Sequence, residues 1–549
     1  MFPLLRRACV VWLLLMLVAA LARAGDYERG TELLDQGEWK EALPLYQRLT
    51  RELPDDSWCW QGLGWSRHYT GDFAGALPAY REALRLGAIV RAPRIWLEIA
   101  RCHVALAHRD SAYAALDEAV RGGLTRVASL QQDQRLAALA GEPRFREITG
   151  WVDSARVGRT GGWRHDLKLL SREVKRMRVM PFANISESDF DREIARLSGV
   201  VPRASDDALG VGVMRLMTRL GDGHTEAEAP FQQTPRQRVL PVQIHAFDDG
   251  WFVTAVTAGD EPLLWARVDS VEGRSIAAVA RGLEPVCSRE NPERVLSVAP
   301  RLLRYPQILR ELGLASSGDR LTLSATDRSG KPRRVTLETR SGPFTWVREP
   351  EGAKLASWMR ERFEYHWLEV RPQQRLLYVA YNGCADEDSE TVEAFAGKVR
   401  QAADRPEVDR MVVDLRWNGG GNNYVNQPLL EAIIQARRTN RPGHLFVIAG
   451  RHTFSAAMCL AGELDRYTHA RFVGEPTGSS PNFVGETNYV TLPYSGVRVS
   501  ISNLYWQNTR ASDERIWIAP RIPVPFRFAD AIAGRDAAVE AILAQPIEN

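Results

Sequence analysis

Two β-rich apolar runs that end in glycine turns limit what this chain can fold into. Met411-Val412-Val413-Asp414-Leu415 leads into Arg416-Trp417-Asn418-Gly419-Gly420-Gly421, and Leu445-Phe446-Val447-Ile448-Ala449-Gly450 leads into Arg451-His452-Thr453-Phe454-Ser455. Short apolar runs bounded by glycine read as buried strands. Helix formers, Ala456 to Leu464, follow the second run. A serine between a strand end and a helix start lies among unpaired, outward-pointing backbone N–H groups. Such a place holds an oxyanion when a second donor is near. Successive glycines let a backbone approach a substrate and tolerate positive φ. The two pieces read as a nucleophile, Ser455, and an oxyanion cradle.

Strand, turn and helix alternate around them. Arg375 to Tyr381 reads as a strand, Asp388 to Ala403 as a helix and Gln427 to Arg437 as a second helix, with a further strand at Arg471 to Gly474. That order predicts a mainly parallel sheet with right-handed crossovers. Ligands of such sheets collect outside the carboxyl ends of the strands, where both turns lie. Upstream, 163 to 225 has apolar residues at helical spacing (Leu209, Val213, Met214, Leu216, Met217, Leu220), capped by Ser205-Asp206-Asp207. From 236 to 340 short β-like runs alternate with loops, and Cys287 to Leu314 reads as a long insertion.

Asp414-Leu415-Arg416-x-Asn418-x-Gly420-Gly421, Thr453-Phe454-Ser455-Ala456-Ala457 and Gly474-Glu475-Pro476-Thr477-Gly478 resemble the core of the tricorn / C-terminal-processing (tail-specific) serine peptidases. Leu220-Gly221-Asp222-Gly223-His224-Thr225 and Gly534-Arg535-Asp536 extend the resemblance over roughly 165 to 545. It implies an α/β crotonase-like (ClpP/crotonase-type) peptidase core at 346–549, preceded by a helical segment at 163–225 and a β-rich PDZ-like domain at 226–345.

One branch of that family activates its serine with a lysine about 25 residues further on, in a Gly-Glu-x-Thr-x-Gly-Lys context. Ser480 stands in that place here. The tricorn-like branch uses a histidine oriented through a carboxylate, which an unactivated serine hydroxyl requires near neutral pH. The resemblance therefore implies His224 as base and Glu486 as carboxylate, with Glu475 the next candidate. The Gly420 and Ala456 N–H groups would be the oxyanion donors. Asp222 reads as a turn carboxylate that caps local N–H groups, Asp414 and Arg416 as an ion pair pinning the glycine turn, and His452 as a loop histidine. Met458 stands where many relatives carry a glutamate.

The first quarter of the chain is different. Arg6 and Arg7, the apolar run Val10 to Ala20 and Ala22-Arg23-Ala24 read as a signal peptide over 1–24, too short to favour a retained span. Over 25–150, Gly37-Glu38-Trp39-Lys40-Glu41-Ala42-Leu43 recurs 34 residues on as Gly71-Asp72-Phe73-Ala74-Gly75-Ala76-Leu77. That is the tetratricopeptide period, and a third copy follows at Ser111 to Ala119. Stacked helix pairs of this kind share one core, giving an α-helical tetratricopeptide solenoid that either recruits a peptide or partner or acts as a spacer.

The formal charge of +3, from 71 basic and 68 acidic residues, argues against nucleic acid as main partner. The scattered cysteines form neither a zinc site nor a disulfide scaffold, though Cys59 and Cys102 could form one bridge. No Walker loop, dinucleotide fingerprint or metal-ligand cluster occurs, so no metal or cofactor is implied. The reading is a multidomain, exported (periplasmic or secreted) serine endopeptidase acting through an acyl-enzyme on a peptide or protein substrate. A catalytically inactive peptidase-fold scaffold is its alternative, and the fold also permits a non-peptide acyl substrate.

Overall fold

The computed structural model describes residues 25–88, 91–125, 127–350 and 352–547. The segment read as a signal peptide, 1–24, lies outside them. The chain divides after Asp153 into two compact units.

The first unit is helical. A helix over 25–36 is followed by Trp39–Glu52, Ser57–Tyr69, Phe73–Arg85, Ala92–Ala105 and Arg109–Arg121. Successive helices pack on one another, and Ala42, Ala76 and Ala112 are wholly buried, as residues that let helices approach closely should be. Asp56 starts its helix by accepting from the N–H groups of Trp58 and Cys59, and Asp72 does so from Gly75. The aromatic rings fill the space between helices: a Cβ on Gly62 would lie 2.3 Å from the buried ring of Tyr46. Cys59 and Cys102 are buried thiols and form no bridge.

The second unit begins with three helices, Ser154–Met177, Glu187–Val200 and Asp206–Thr218. A five-stranded antiparallel path follows in the order Val242–Phe247, Gly250–Val256, Arg267–Val271, Arg320–Thr326, Pro332–Glu338. Between its third and fourth strands the chain inserts the helices Ile276–Leu283, Pro292–Leu302 and Pro306–Glu311. The expected insertion at 287 to 314 is thus ordered, and it packs on Val242–Phe247.

The core sheet has six strands in the order Ile522–Pro523, Arg471–Gly474, Leu445–Ala449, Arg410–Asp414, Leu376–Tyr381, His366–Arg371. All neighbours are parallel except His366–Arg371, which pairs antiparallel at one edge. Every residue of Leu376–Tyr381, Arg410–Asp414 and Leu445–Ala449 is buried, which is why these strands read as continuous apolar runs. A hairpin, Asn482–Thr491 with Arg498–Gln507, joins Glu226–Glu228 in a third sheet and brings the segment after His224 against the core. Among the described residues no helix is long and apolar enough to cross a membrane.

Candidate active site

The turn after Arg410–Asp414 is fixed from below. Arg416 donates to Asp414 at 2.8 Å and to Asp536 at 2.8 Å, and Tyr378 O–H donates to Asp414. Asp414, Arg416 and Tyr378 are buried, so the Asp414–Arg416 ion pair is an internal brace. Asn418 Nδ2 donates to the Tyr381 carbonyl at 2.8 Å, and Thr453 Oγ1 donates to the Leu415 carbonyl at 2.9 Å. The first bond ties the glycine turn to the end of the strand Leu376–Tyr381, and the second ties the two glycine-ended turns together.

Ser455 stands immediately before the helix Ala456–Tyr467 with φ 57° and ψ −128°. Such a conformation costs a non-glycine residue about 1–3 kcal/mol and persists only where its surroundings impose it. The surroundings are Gly420, φ 103°, where a Cβ would fall 2.5 Å from the Ser455 Cβ and 2.9 Å from the Phe454 carbonyl oxygen. Any side chain there would push the serine away.

Ser455 lines a cavity of about 400 Å³ together with His224, Gly421, Ala456, Phe483 and Glu486. His224 lies in the loop between Asp206–Thr218 and Glu226–Glu228. Asp222 shapes that loop: it accepts from the N–H groups of His224 (2.9 Å) and Thr225 (2.5 Å) and binds Arg178 at 2.9 Å. It caps the turn rather than touching the imidazole by a hydrogen bond. The ring of His224 stacks on Phe454, centroids 4.3 Å apart, and on Phe483 at 5.4 Å. Arg294 sits 3.6 Å from the centroid of the same Phe454 ring. Two groups so close cannot share one face of a ring, so Phe454 separates the guanidinium from the imidazole.

Neither ring nitrogen of His224 has a hydrogen-bond partner. Burial lowers its pKa to about 4, with the Asp222 charge opposing and the Arg294 charge assisting. The carboxylate facing the imidazole is Glu290, with Oε1 4.0 Å from Nδ1. Glu290 accepts from the Gly223 N–H at 2.9 Å and from Ser479 Oγ, and burial raises its pKa to about 7. It comes from the insertion, just ahead of the helix Pro292–Leu302.

Other expected residues are placed differently. Glu486 lines the cavity but is exposed, at φ 60° in Asn482–Thr491, and forms no ion pair with His224. Glu475 is turned away: Arg451 binds it at 2.9 Å and the Phe526 N–H donates to it. Ala456 also lines the cavity. The Gly420 N–H donates to Asn418 Oδ1 at 2.9 Å, and Gly421 is the glycine on the cavity wall. His452 is no surface histidine. It is enclosed, bonded through Nδ1 to Ser297 Oγ at 3.0 Å and stacked on Trp417. A larger groove of about 730 Å³ near Trp367 and Asp536 contains no histidine.

Glu290 was missed because nothing around it in sequence marks chemistry. It stands before Asn291-Pro292, an ordinary helix start in which Asn291 caps the Arg294 N–H.

No sequence-family model and no curated protein matches the chain. Solved structures do. Mature CPAF complexed with lactacystin superposes with a TM-score of 0.50 at 13% identity, covering 70% of this chain and 97% of the other. A CPAF point mutant gives 0.50 at 12% identity, covering 71% and 99%. The photosystem II D1 C-terminal processing protease gives 0.34 at 16% identity, covering 68% and 98%. At these identities the likeness speaks to fold alone, a fold this chain shares with mature CPAF.

Proposed function

We propose that this chain is an exported serine endopeptidase. The observation that carries the reading is the meeting of Ser455, held in a strained backbone conformation, with His224 on the wall of one cavity. Ser455 Oγ attacks the peptide carbonyl carbon while its proton passes to His224, which is neutral near pH 7 and able to accept it. The tetrahedral oxyanion is held by the Ala456 N–H and by the Gly421 N–H in place of Gly420. Collapse expels the amine, which takes the proton from His224 and leaves an acyl-serine; water, deprotonated by the same histidine, releases the acid. Glu290 faces Nδ1 and directs Nε2 toward the serine once a shift of about 1 Å brings it into hydrogen-bond range. Glu486 remains the carboxylate at the cavity rim and the second candidate for that role. The helical repeats recruit substrate or a partner protein, the β-rich domain presents the chain to the core, and the leader places the enzyme in the periplasm or outside the cell.

One observation favours the scaffold alternative: the His224 imidazole makes no hydrogen bond to Ser455 or to a carboxylate in this state. Fluorophosphonate labelling of the mature protein separates the two. Labelling lost in Ser455→Ala and strongly slowed in His224→Ala is expected. A folded wild type that does not label and does not cleave a denatured protein substrate overturns the enzyme reading. Glu290→Gln and Glu486→Gln, compared in the same assay, assign the third member.

A further inference from the structure

The helix Ala537–Leu543 packs on the face of the core sheet opposite the helix Ala456–Tyr467, which begins just after Ser455. It is fastened to both ends of the strand Arg410–Asp414. At one end the Arg410 guanidinium donates from Nη1 to the Ile542 and Leu543 carbonyls, at 3.3 and 3.2 Å. At the other, Asp536 takes Arg416 in a two-point pair, 3.2 Å from Nη1 and 2.8 Å from Nη2. Asp536 also starts the helix by accepting from the Ala538 and Val539 N–H groups. One carboxylate thus ties the helix start to the residue that opens the glycine turn.

The Arg416 guanidinium is where the two glycine-ended turns meet. It lies against two rings, Trp358 at 4.7 Å and Phe526 at 4.9 Å. Trp358 stacks on Trp417, the next residue of the turn, with centroids 6.3 Å apart, and its Nε1 donates to the Arg535 carbonyl at 3.0 Å. Phe526 packs on Gly450, which follows the strand leading to Ser455: a Cβ there would fall 2.7 Å from the ring. The Phe526 N–H donates to Glu475, which pairs with Arg451 of that same turn. Against burial, which lowers it, the charges of Asp414 and then Asp536 raise the pKa of Arg416. A planar guanidinium held by a carboxylate on each side is fixed in direction as well as in charge.

We infer that Asp536 is a positioning residue of the reaction: through Arg416 it fixes the turn Trp417-Asn418-Gly419-Gly420-Gly421 in place beside Ser455. The inference rests on the peptidase reading. The fit has no slack, since a Cβ on Gly420 would fall 2.5 Å from the Ser455 Cβ. A misplacement of about 1 Å, caused far from the chemistry, costs roughly 100-fold in rate. Asp536 acts from outside the catalytic cavity. It lines the groove of about 730 Å³ near Trp367, which shares no lining residue with the cavity of Ser455 and His224. Asp414 and Arg416 are buried, so the groove reaches the turn through Asp536.

The test compares full-length wild type with Asp536→Asn and Asp536→Ser. Both variants keep a helix-capping side chain and remove the charge, so the second serves should the first not fold. Arg535→Gln, one residue earlier, removes an exposed charge that pairs with Asp530 and Glu540, and is the control. Fluorophosphonate labelling over a range of probe concentrations separates probe binding, KI, from the chemical step, kinact. Amide hydrogen exchange follows the segments 415–422 and 537–543. In the Asp536 variants kinact is expected to fall roughly 10- to 100-fold with KI within about twofold. Segment 415–422 should exchange at least about tenfold faster while 537–543 stays within about twofold of wild type. Arg535→Gln should match wild type in both measurements. Unchanged exchange in 415–422, an unchanged kinact, or an equal fall in Arg535→Gln overturns the inference. The two readings fail separately. A wild type that labels, with kinact unaltered in the Asp536 variants, sinks the positioning role alone; a wild type that does not label sinks the peptidase reading and the catalytic role of Asp536 with it.

Discussion

Glu290 Oε1 stands 4.0 Å from His224 Nδ1, and the same oxygen accepts the N–H of Gly223, the residue just before that histidine. The carboxylate thereby holds the backbone of the histidine loop and faces its ring at once. Removing its charge while keeping its shape should leave the fold intact and disturb only the orientation and charge of the imidazole. Glu290→Gln is expected to lower kcat roughly 10- to 100-fold with little change in KM, the range typical of a group acting through another. An equal rise in KM would show that Glu290 shapes substrate binding instead.

The pH profile should carry the same signature. His224, with its pKa near 4, is in its basic form throughout pH 5 to 8, so its own titration does not limit activity there. Glu290 is neutral below and ionised above about 7. The acid limb of kcat/KM in wild type should therefore fall near pH 7, and Glu290→Gln should move it below pH 5. An unmoved limb would detach the titration from Glu290.

Gly420→Ala should damage both stability and activity. Its φ of 103° is rarely adopted by a side-chain-bearing residue, and the new methyl would meet the Ser455 Cβ. The backbone strain alone is about 1–3 kcal/mol. Thermal denaturation should show a lowered midpoint, and fluorophosphonate labelling of the folded fraction should be lost. Normal labelling would show that the turn relaxes without displacing the serine.

His245 sets an acid sensitivity unrelated to catalysis. Burial lowers its pKa to about 3, helped by the charges of Arg362 and Arg304. As pH falls below about 6.5 the unfolded chain binds a proton at this histidine and the folded chain does not, so stability declines with falling pH until the folded pKa is passed. Relative to His245→Gln, wild type should lose up to about 1.4 kcal/mol per pH unit through that window, read from urea midpoints. Parallel curves for the two proteins would contradict it.

What the sequence makes legible follows the range of the interactions involved. Ser455 and the parallel core are visible because consecutive buried residues produce apolar runs, and glycine turns punctuate them. The Asp414–Arg416 pair and the Asp222 cap are local and were readable from spacing. Glu290 and Arg294 were not, because an inserted helix brings them to His224 from another sheet. The bond from Gly420 N–H to Asn418 is a side-chain choice that spacing does not reveal. The hairpin Asn482–Thr491 with Arg498–Gln507 did leave a signal, Tyr489-Val490-Thr491 and Val497 to Ile501 flanking Pro493-Tyr494-Ser495-Gly496.

The origin of Glu290 and Arg294 in the insertion makes assembly of the molecule a safeguard. A chain whose β-rich domain has not yet settled on the core carries Ser455 but lacks the carboxylate facing His224 and the guanidinium behind Phe454. On the peptidase reading, nascent or partly opened molecules are therefore the least equipped to cut their neighbours.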